Sequence, residues 1–280
     1  MLLETFRGPD LTALFRQACA ELGDDALIVR TRVVGGVRRR EFEVVTTTPR
    51  SVTKLRARMR SFPLPSVQQH RVSRRPPFMV ALVGPEGGAR TMTLAMLASD
   101  VDAFAEWNCG VLAVSTSPSA MLGAMATSSV LRDLPVEVAS SVDDLEPALK
   151  RLTRCDAILV QMQDARSSAR AAALVRAALE ALAPDETHLV LPAATSPQEA
   201  ANAVDAYRAT RPSHLMLADT RGELDESAML SAVAAAKLPI RWVAQAGASG
   251  MGLRPAAERI LGGLRLDAAP AAGGAGAMAW

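Results

Sequence analysis

Cysteine, histidine and aromatic residues are all scarce in this sequence. Its three cysteines, Cys19, Cys109 and Cys155, form an odd and widely spaced set, which argues against a disulfide framework. The three histidines, His70, His188 and His214, show no metal-ligand spacing, so nothing in their order suggests a zinc site. Aromatics make up 4% of the residues against 49% hydrophobic overall, so the core must be built from Ala, Val, Leu and Met. One Tyr and six Phe also leave little for stacking single-stranded bases, which makes nucleic acid an unfavoured partner. Apolar stretches are interrupted well short of the ~18 residues that a membrane-crossing helix needs. The first residues, with Glu4 and Arg7, lack the apolar core of a secretory signal, and a cytoplasmic protein is expected.

A length of 280 residues suggests about two domains at ~100–200 residues each. The net charge of +2 conceals an asymmetry. Residues 1–75 carry 15 Lys and Arg against 7 Asp and Glu, and the remainder carries 16 against 22, so a basic head precedes an acidic body.

The chain is organised around residues 79–97, MVALVGPEGGARTMTLAML. An apolar run meets a glycine-rich turn, and Leu94, Leu97 and Ala98 then recur on one helical face. Strand, loop and helix in that order make the frame of a phosphate-binding loop. In the working pattern G-x-x-x-x-G-K-[ST], backbone N–H groups cradle phosphate, the lysine reaches the β/γ-phosphates and the hydroxyl holds Mg²⁺. Here the eight positions read Gly84, Pro85, Glu86, Gly87, Gly88, Ala89, Arg90 and Thr91. Ala89 stands for the second glycine, and a Cβ there costs about 1–2 kcal/mol if the backbone needs a positive φ. Arg90 keeps the charge but replaces a compact ammonium with a planar fork. Glu86 puts a carboxylate on the lip, and like charges ~4 Å apart repel by about 4 kcal/mol at an effective dielectric near 20. Gly84, Gly87, Gly88, Arg90 and Thr91 are therefore the candidate residues of a vestigial phosphate loop. The plainer reading is a structural strand-to-helix turn.

Residues 1–48 read as a small basic α/β unit. Asp10 is a candidate N-cap, Leu11, Leu14, Phe15, Ala18 and Leu22 recur at helical spacing, and Gly23 stops the helix. Residues 26–31 and 41–46 are β-prone around Gly35-Gly36, beside Arg38, Arg39 and Arg40. Residues 49–77 form a basic linker with one helical candidate, 52–59, and seven Lys and Arg between Lys54 and Arg75. That charge suits either an anionic membrane surface or plain solubility. From residue 78 the rhythm is strand then helix, with apolar segments at 111–114, 136–139, 157–160, 188–191, 214–217 and 240–243, each followed by a helical pattern. Such alternation predicts a P-loop-type α/β domain over 78–265, a mostly parallel sheet with helices on both faces. Ligands of such sheets sit at the carboxyl ends of the strands, where the loop lies. Residues 266–280, rich in Ala and Gly, are expected to be disordered.

Residues Thr5-Phe6-Arg7-Gly8-Pro9-Asp10 and Glu21-Leu22-Gly23-Asp24-Asp25-Ala26-Leu27-Ile28 resemble the N-terminal domain of the FlhF family, the flagellar branch of the signal-recognition-particle (SRP) GTPases. The order of basic segment and P-loop domain resembles that family to about residue 264. The family's first motif falls on Gly84 to Thr91, and its second, beginning DT, falls near Ser115-Thr116-Ser117-Pro118, without the aspartate and arginine. Its DTAGR motif falls on Gln161-Met162-Gln163-Asp164-Ala165-Arg166, where Gln161 stands for the aspartate of the Mg²⁺ shell. Its guanine-reading TKLD falls on Ala218-Asp219-Thr220-Arg221 or, with an insertion, on Thr220 with Leu224-Asp225-Glu226.

Four motifs depart together while the strands that carry them persist. The resemblance thus implies a pseudo-GTPase without cofactor, working by contact in flagellar assembly or polar placement, peripheral at the inner membrane face. Its implied partners are flagellar factors, a MinD-like ATPase, or an SRP-type GTPase with which it forms a dimer. A divergent switch that binds GTP with magnesium is the alternative, and a basic membrane or RNA adaptor the third. For a dimer face the sequence offers the alanine-rich helices 167–183 and 228–237, although close packing on the sheet explains their alanines equally well.

Overall fold

The computed structural model describes residues 3–34, 41–59, 77–100, 103–219, 226–247, 250–255 and 267–268. The first unit is a four-stranded antiparallel sheet: β1 (Glu4–Gly8), β2 (Leu27–Val34) and β3 (Glu41–Thr47), with β12 (Asp267–Ala268) at one edge, in the order β1-β3-β2-β12. Helix α1 (Leu11–Leu22) starts where the Asp10 carboxylate accepts from the Thr12 N–H at 2.9 Å and ends at Gly23, φ +94°. It lays Leu14 and Ala18 onto Phe6 and Val44, forming a small core. Across three strands Glu43, nearly buried, accepts from Arg7 and Arg32, its cross-strand register partners. Those two guanidiniums hold its carboxyl below the usual range, Arg32 first, against the upward push of burial.

Strand β1 has a single buried apolar residue, Phe6, and so carried no strand signal of its own. Within the stretch expected to be disordered, Asp267 and Ala268 instead pair with Ile28 and Leu27. Helix α2 (Pro49–Met59) begins three residues before the helix expected at 52–59.

The second unit is an eight-stranded sheet in the order β11-β10-β9-β8-β4-β7-β5-β6. Its strands are β4 (Phe78–Val83), β5 (Cys109–Val114), β6 (Val136–Ala139), β7 (Ala157–Met162), β8 (Glu186–Pro192), β9 (His214–Asp219), β10 (Ile240–Gly247) and β11 (Gly250–Pro255). Seven run parallel, as the alternating pattern predicts. The eighth is a correction: β10 turns into the antiparallel β11, not into a helix. Gly250 and Gly252 make that segment read as a turn in sequence.

Helices cover both faces. On one, Val80, Leu82, Val190 and Met216 meet Leu94 and Leu97 of α3 (Gly88–Ser99), Met125 of α4 (Pro118–Ala126) and Leu131 of α5 (Ser129–Arg132), with Phe104 and Trp107 edge to face. On the other, Ala81, Val83, Leu189 and Leu215 meet α6 (Leu145–Arg151), α7 (Ala169–Leu182), α8 (Pro197–Ala206) and α9 (Glu226–Ala236). Ala171, Ala178, Ala232 and Ala236 are buried in that layer, where small side chains let the helices approach the sheet. Cys109 and Cys155 are buried thiols, and burial pushes Cys109 up to about 12. Leu3 and Val29 of the first unit pack against this larger core. Among the described residues no helix is long and apolar enough to cross a membrane.

At the amino end of the parallel strands lies a charged cluster. Glu186 accepts from Arg241 and stands 2.7 Å from His188 Nε2, and His188 stacks on His214 at 4.9 Å. Burial, then the neighbouring His188, pushes the His214 imidazole down to about 4, so it is neutral at pH 7.

Candidate functional site

At the opposite end, β4 runs out into the loop at Gly84. Its φ is +144°, and a Cβ there would stand 2.5 Å from the Val190 carbonyl oxygen, so only glycine lets the turn pass beneath β8. Gly87 has φ +146° but open space around it; the demand there is on the backbone alone. Gly88 opens helix α3. Ala89 lies within that helix, half-buried, and is not among the described residues with positive φ. The strain that a positive φ would cause at Ala89 is therefore absent.

Arg90 does not reach outward. Its side chain is buried, Nη1 donates to the Met162 carbonyl at the end of β7, and Nε has no partner. Burial lowers its pKa, while Tyr207, Asp164 and Glu86 oppose that shift. An arginine keeps its proton even so, and the cation expected to face phosphate is spent on a backbone oxygen. Next to it, Gln161 Nε2 donates to Thr91 Oγ1 at 3.1 Å. In working P-loops the corresponding hydroxyl and carboxylate share Mg²⁺. Here an amide proton bridges the two positions directly.

Asp164 ties the loop from outside. Its carboxylate accepts from the Glu86 N–H at 3.2 Å, the Arg166 N–H at 2.8 Å and the Tyr207 hydroxyl at 2.5 Å. Burial raises its pKa, but these three donors and the Arg90 charge together bring it below the usual range. Burial and the Asp164 charge push the Tyr207 hydroxyl upward in turn, and the Arg166 guanidinium lies 5.9 Å from the Tyr207 ring centroid. One of the loop's amides, the type of group that cradles an anion, thus already faces an anion of the protein itself. Gln163 makes a third link: its Oε1 accepts from Ser115 Oγ, the Thr116 N–H and Thr116 Oγ1 at 2.9–3.1 Å, binding the ends of β5 and β7 together.

These groups line a cavity of about 800 Å³ that extends under α4 and α5. Thr91, Ser115, Thr116, Ser117, Thr127 and Ser129 give it hydroxyls, and Met92, Met121 and Val130 an apolar side. Its charged lining residues are Glu86, Asp164 and Arg90, so carboxylates outnumber the cation. Gly87, Arg90 and Thr91 lie in its wall, and Gly84, below β8, supports the turn from behind. Of the guanine-reading candidates, Ala218 and Asp219 are buried at the end of β9 and Glu226 opens α9, whereas Thr220, Arg221, Leu224 and Asp225 lie outside the described residues, as do Arg38, Arg39, Arg40 and residues 60–76. Sequence reasoning missed Asp164, Gln163 and Tyr207 as the groups that close the site. Tyr207, the chain's single tyrosine, was the available signal, and it is buried.

This geometry can be set beside solved structures. The signal recognition particle receptor FtsY from Elizabethkingia anophelis, in complex with GDP, matches with a TM-score of 0.52 at 15% identity over 69% of this chain and 65% of that one. The 54 kDa protein of the particle from Aeropyrum pernix K1, in complex with GDP, matches at 0.51 and 17%, over 76% and 59%. The fold is that of the SRP GTPases. FlhF complexed with GMPPNP and Mg²⁺ gives 0.46 at 15%, over 70% and 83%. At these identities the likeness to the SRP GTPases is one of fold, and it spans less than two thirds of the FtsY and 54 kDa chains. No family model and no curated protein matches the sequence.

Proposed function

We propose that this chain is a pseudo-GTPase on the SRP-GTPase fold, working by protein contact and not by hydrolysis. The observation that carries this reading is the direct Gln161–Thr91 hydrogen bond at the metal position of the loop. An amide is a poor ligand for a hard dication that demands octahedral oxygen. The burial of Arg90 against Met162 and the Asp164 carboxylate on the loop support it further. These residues do not suit a magnesium–triphosphate complex, and no hydrolytic step is derived through one. Phosphoryl transfer depends almost wholly on positioning and charge neutralisation, which this site would have to supply without lysine or aspartate.

The role we assign follows the N-terminal resemblance: flagellar biosynthesis or polar placement, with flagellar factors, a MinD-like ATPase or an SRP-type GTPase as partners. Calorimetry with GTP, GDP and ATP plus Mg²⁺ tests the catalytic half of this reading. No heat of binding is the expected result; micromolar, magnesium-dependent GTP binding with turnover overturns it. A divergent GTP switch is the second reading, favoured by the retained Gly84 and Gly87 turn and by the size of the cavity. That switch requires a GTP-dependent rise in melting temperature that Arg90→Ala abolishes.

A further inference from the structure

The sequence spacing of His188 and His214 is that of no metal site, but the sheet supplies what the spacing does not. The two residues are register partners on parallel strands β8 and β9, and Glu186 precedes His188 by two positions on the same face of β8. Glu186 Oε2 lies 2.7 Å from His188 Nε2 and 4.0 Å from His214 Nδ1, and the three donor atoms lie within 4.8 Å of one another. We propose that Glu186, His188 and His214 form a binding site for a borderline first-row dication such as Zn²⁺, at the end of the sheet remote from the loop.

The arrangement of the groups around these donors favours a ligand role. Arg241, buried on β10, holds Glu186 through Oε1 and leaves Oε2 turned toward both imidazoles. Ligating carboxylates are themselves held by such hydrogen bonds. The Ser213 hydroxyl is 2.9 Å from His214 Nδ1 and also 3.2 Å from the Thr187 carbonyl, so it has a second acceptor when Nδ1 gives its lone pair to a cation. Val80 and Leu82, register partners of Glu186 and His188 on β4, make the inner wall apolar. Ser213 is exposed, and the ion reaches the cluster from that side.

Two imidazoles and one carboxylate are the donor set of an open tetrahedral site, with ligand atoms about 3.4 Å apart for bonds of about 2.1 Å. To reach that spacing the 2.7 Å contact opens, the 4.0 Å contact closes, and the two stacked rings, 17° apart, tilt so that both nitrogens face the ion. Imidazole selects Zn²⁺, Co²⁺ or Ni²⁺ over Mg²⁺ and Ca²⁺. To ligate through Nε2, His188 gives up its contact with Glu186 and carries its ring proton on Nδ1, a buried nitrogen that has no partner in the structure.

The test titrates chelator-treated full-length protein with Zn²⁺ and, for its visible spectrum, with Co²⁺. The expected result is one equivalent per chain, tetrahedral Co²⁺ bands without a thiolate charge-transfer band, and ¹⁵N imidazole shifts on Zn²⁺ for two of the chain's three histidines. His214→Gln weakens binding by roughly 100-fold or more and Arg241→Lys by roughly 10- to 100-fold, while Arg90→Ala at the other end leaves it unchanged. No binding by the parent protein, a shift of fewer than two imidazoles, or full binding by His214→Gln overturns the proposal. The imidazole measurement needs no variant, so it decides even if a substitution unfolds the chain.

Discussion

The two ends of one parallel sheet meet the cost of polar groups by different means. At the carboxyl end, Thr91, Gln161, Ser115, Thr116 and Gln163 are joined by neutral hydrogen bonds around an open cavity that leave Gln161 Oε1 and Gln163 Nε2 without a partner, and Asp164 is steadied by N–H and O–H donors. At the amino end, a full charge pair, Glu186 with Arg241, is held among apolar strands. Neutral bonds beside solvent are each worth about 0.5–1.5 kcal/mol, whereas breaking one partner of a buried charge pair costs about 3–5 kcal/mol. Removing one of the neutral bonds at the carboxyl end is therefore expected to cost less than removing one partner of the charge pair at the amino end.

Arg241→Met puts that difference at its sharpest. It leaves the Glu186 carboxylate buried without its cation, and the urea midpoint of the metal-free protein is expected to fall by the equivalent of about 3–5 kcal/mol. A loss under 1 kcal/mol would mean that water reaches Glu186 and that the contrast between the ends is false.

Gly84→Ala is the exception at the tolerant end. The new Cβ meets a backbone oxygen at 2.5 Å in a positive-φ position, and a loss of about 3 kcal/mol is expected. Gly87→Ala shares the φ but not the collision, and about 1 kcal/mol is expected. Equal losses in thermal unfolding would show that strain alone governs both glycines.

Tyr207→Phe removes one donor from Asp164 and is expected to cost about 2 kcal/mol, since a hydrogen bond to a charged group is worth about 1.5–3. The smallest effect belongs to pH. Asp164 titrates below its unfolded value, so its stabilisation is complete above about pH 4 and is lost as pH falls through the folded pKa. Asp164→Asn should flatten the acid limb of a stability-against-pH curve; an unchanged limb would place the acid sensitivity elsewhere.

Much of this was legible in the residues. The six segments after residue 78 all became strands: the inner ones, buried on both faces, read as near-continuous apolar runs, and β6, half-buried at the edge, carries Glu137 within its segment. The capped helix at Asp10 and Gly23 was legible for local reasons, one carboxylate and one positive φ. The loop was legible in its glycines, and its direction of function was not. Arg90 reads as a cation aimed at a ligand until Met162, 72 residues later, is found to accept from it. Asp164 and Tyr207 stand 43 residues apart, and no local pattern announces their bond. Gln161 reads as a missing ligand; that its amide fills the gap by bonding Thr91 is a fact of tertiary geometry.

One further consequence lies in the neighbours of β4. It pairs with β7 and β8, whose first residues are Ala157 and Glu186, so the centre of the sheet closes only across very long stretches of chain. Closure over such separations is slow because the entropy is lost before the contacts form. The turn at Gly84 takes its shape beneath Val190, and so it cannot set until that strand has been synthesised and has docked. A ribosome that stalls before residue 190 holds a chain in which β1, β2 and β3 can already pair, while β12 and the roof of the loop are still to come.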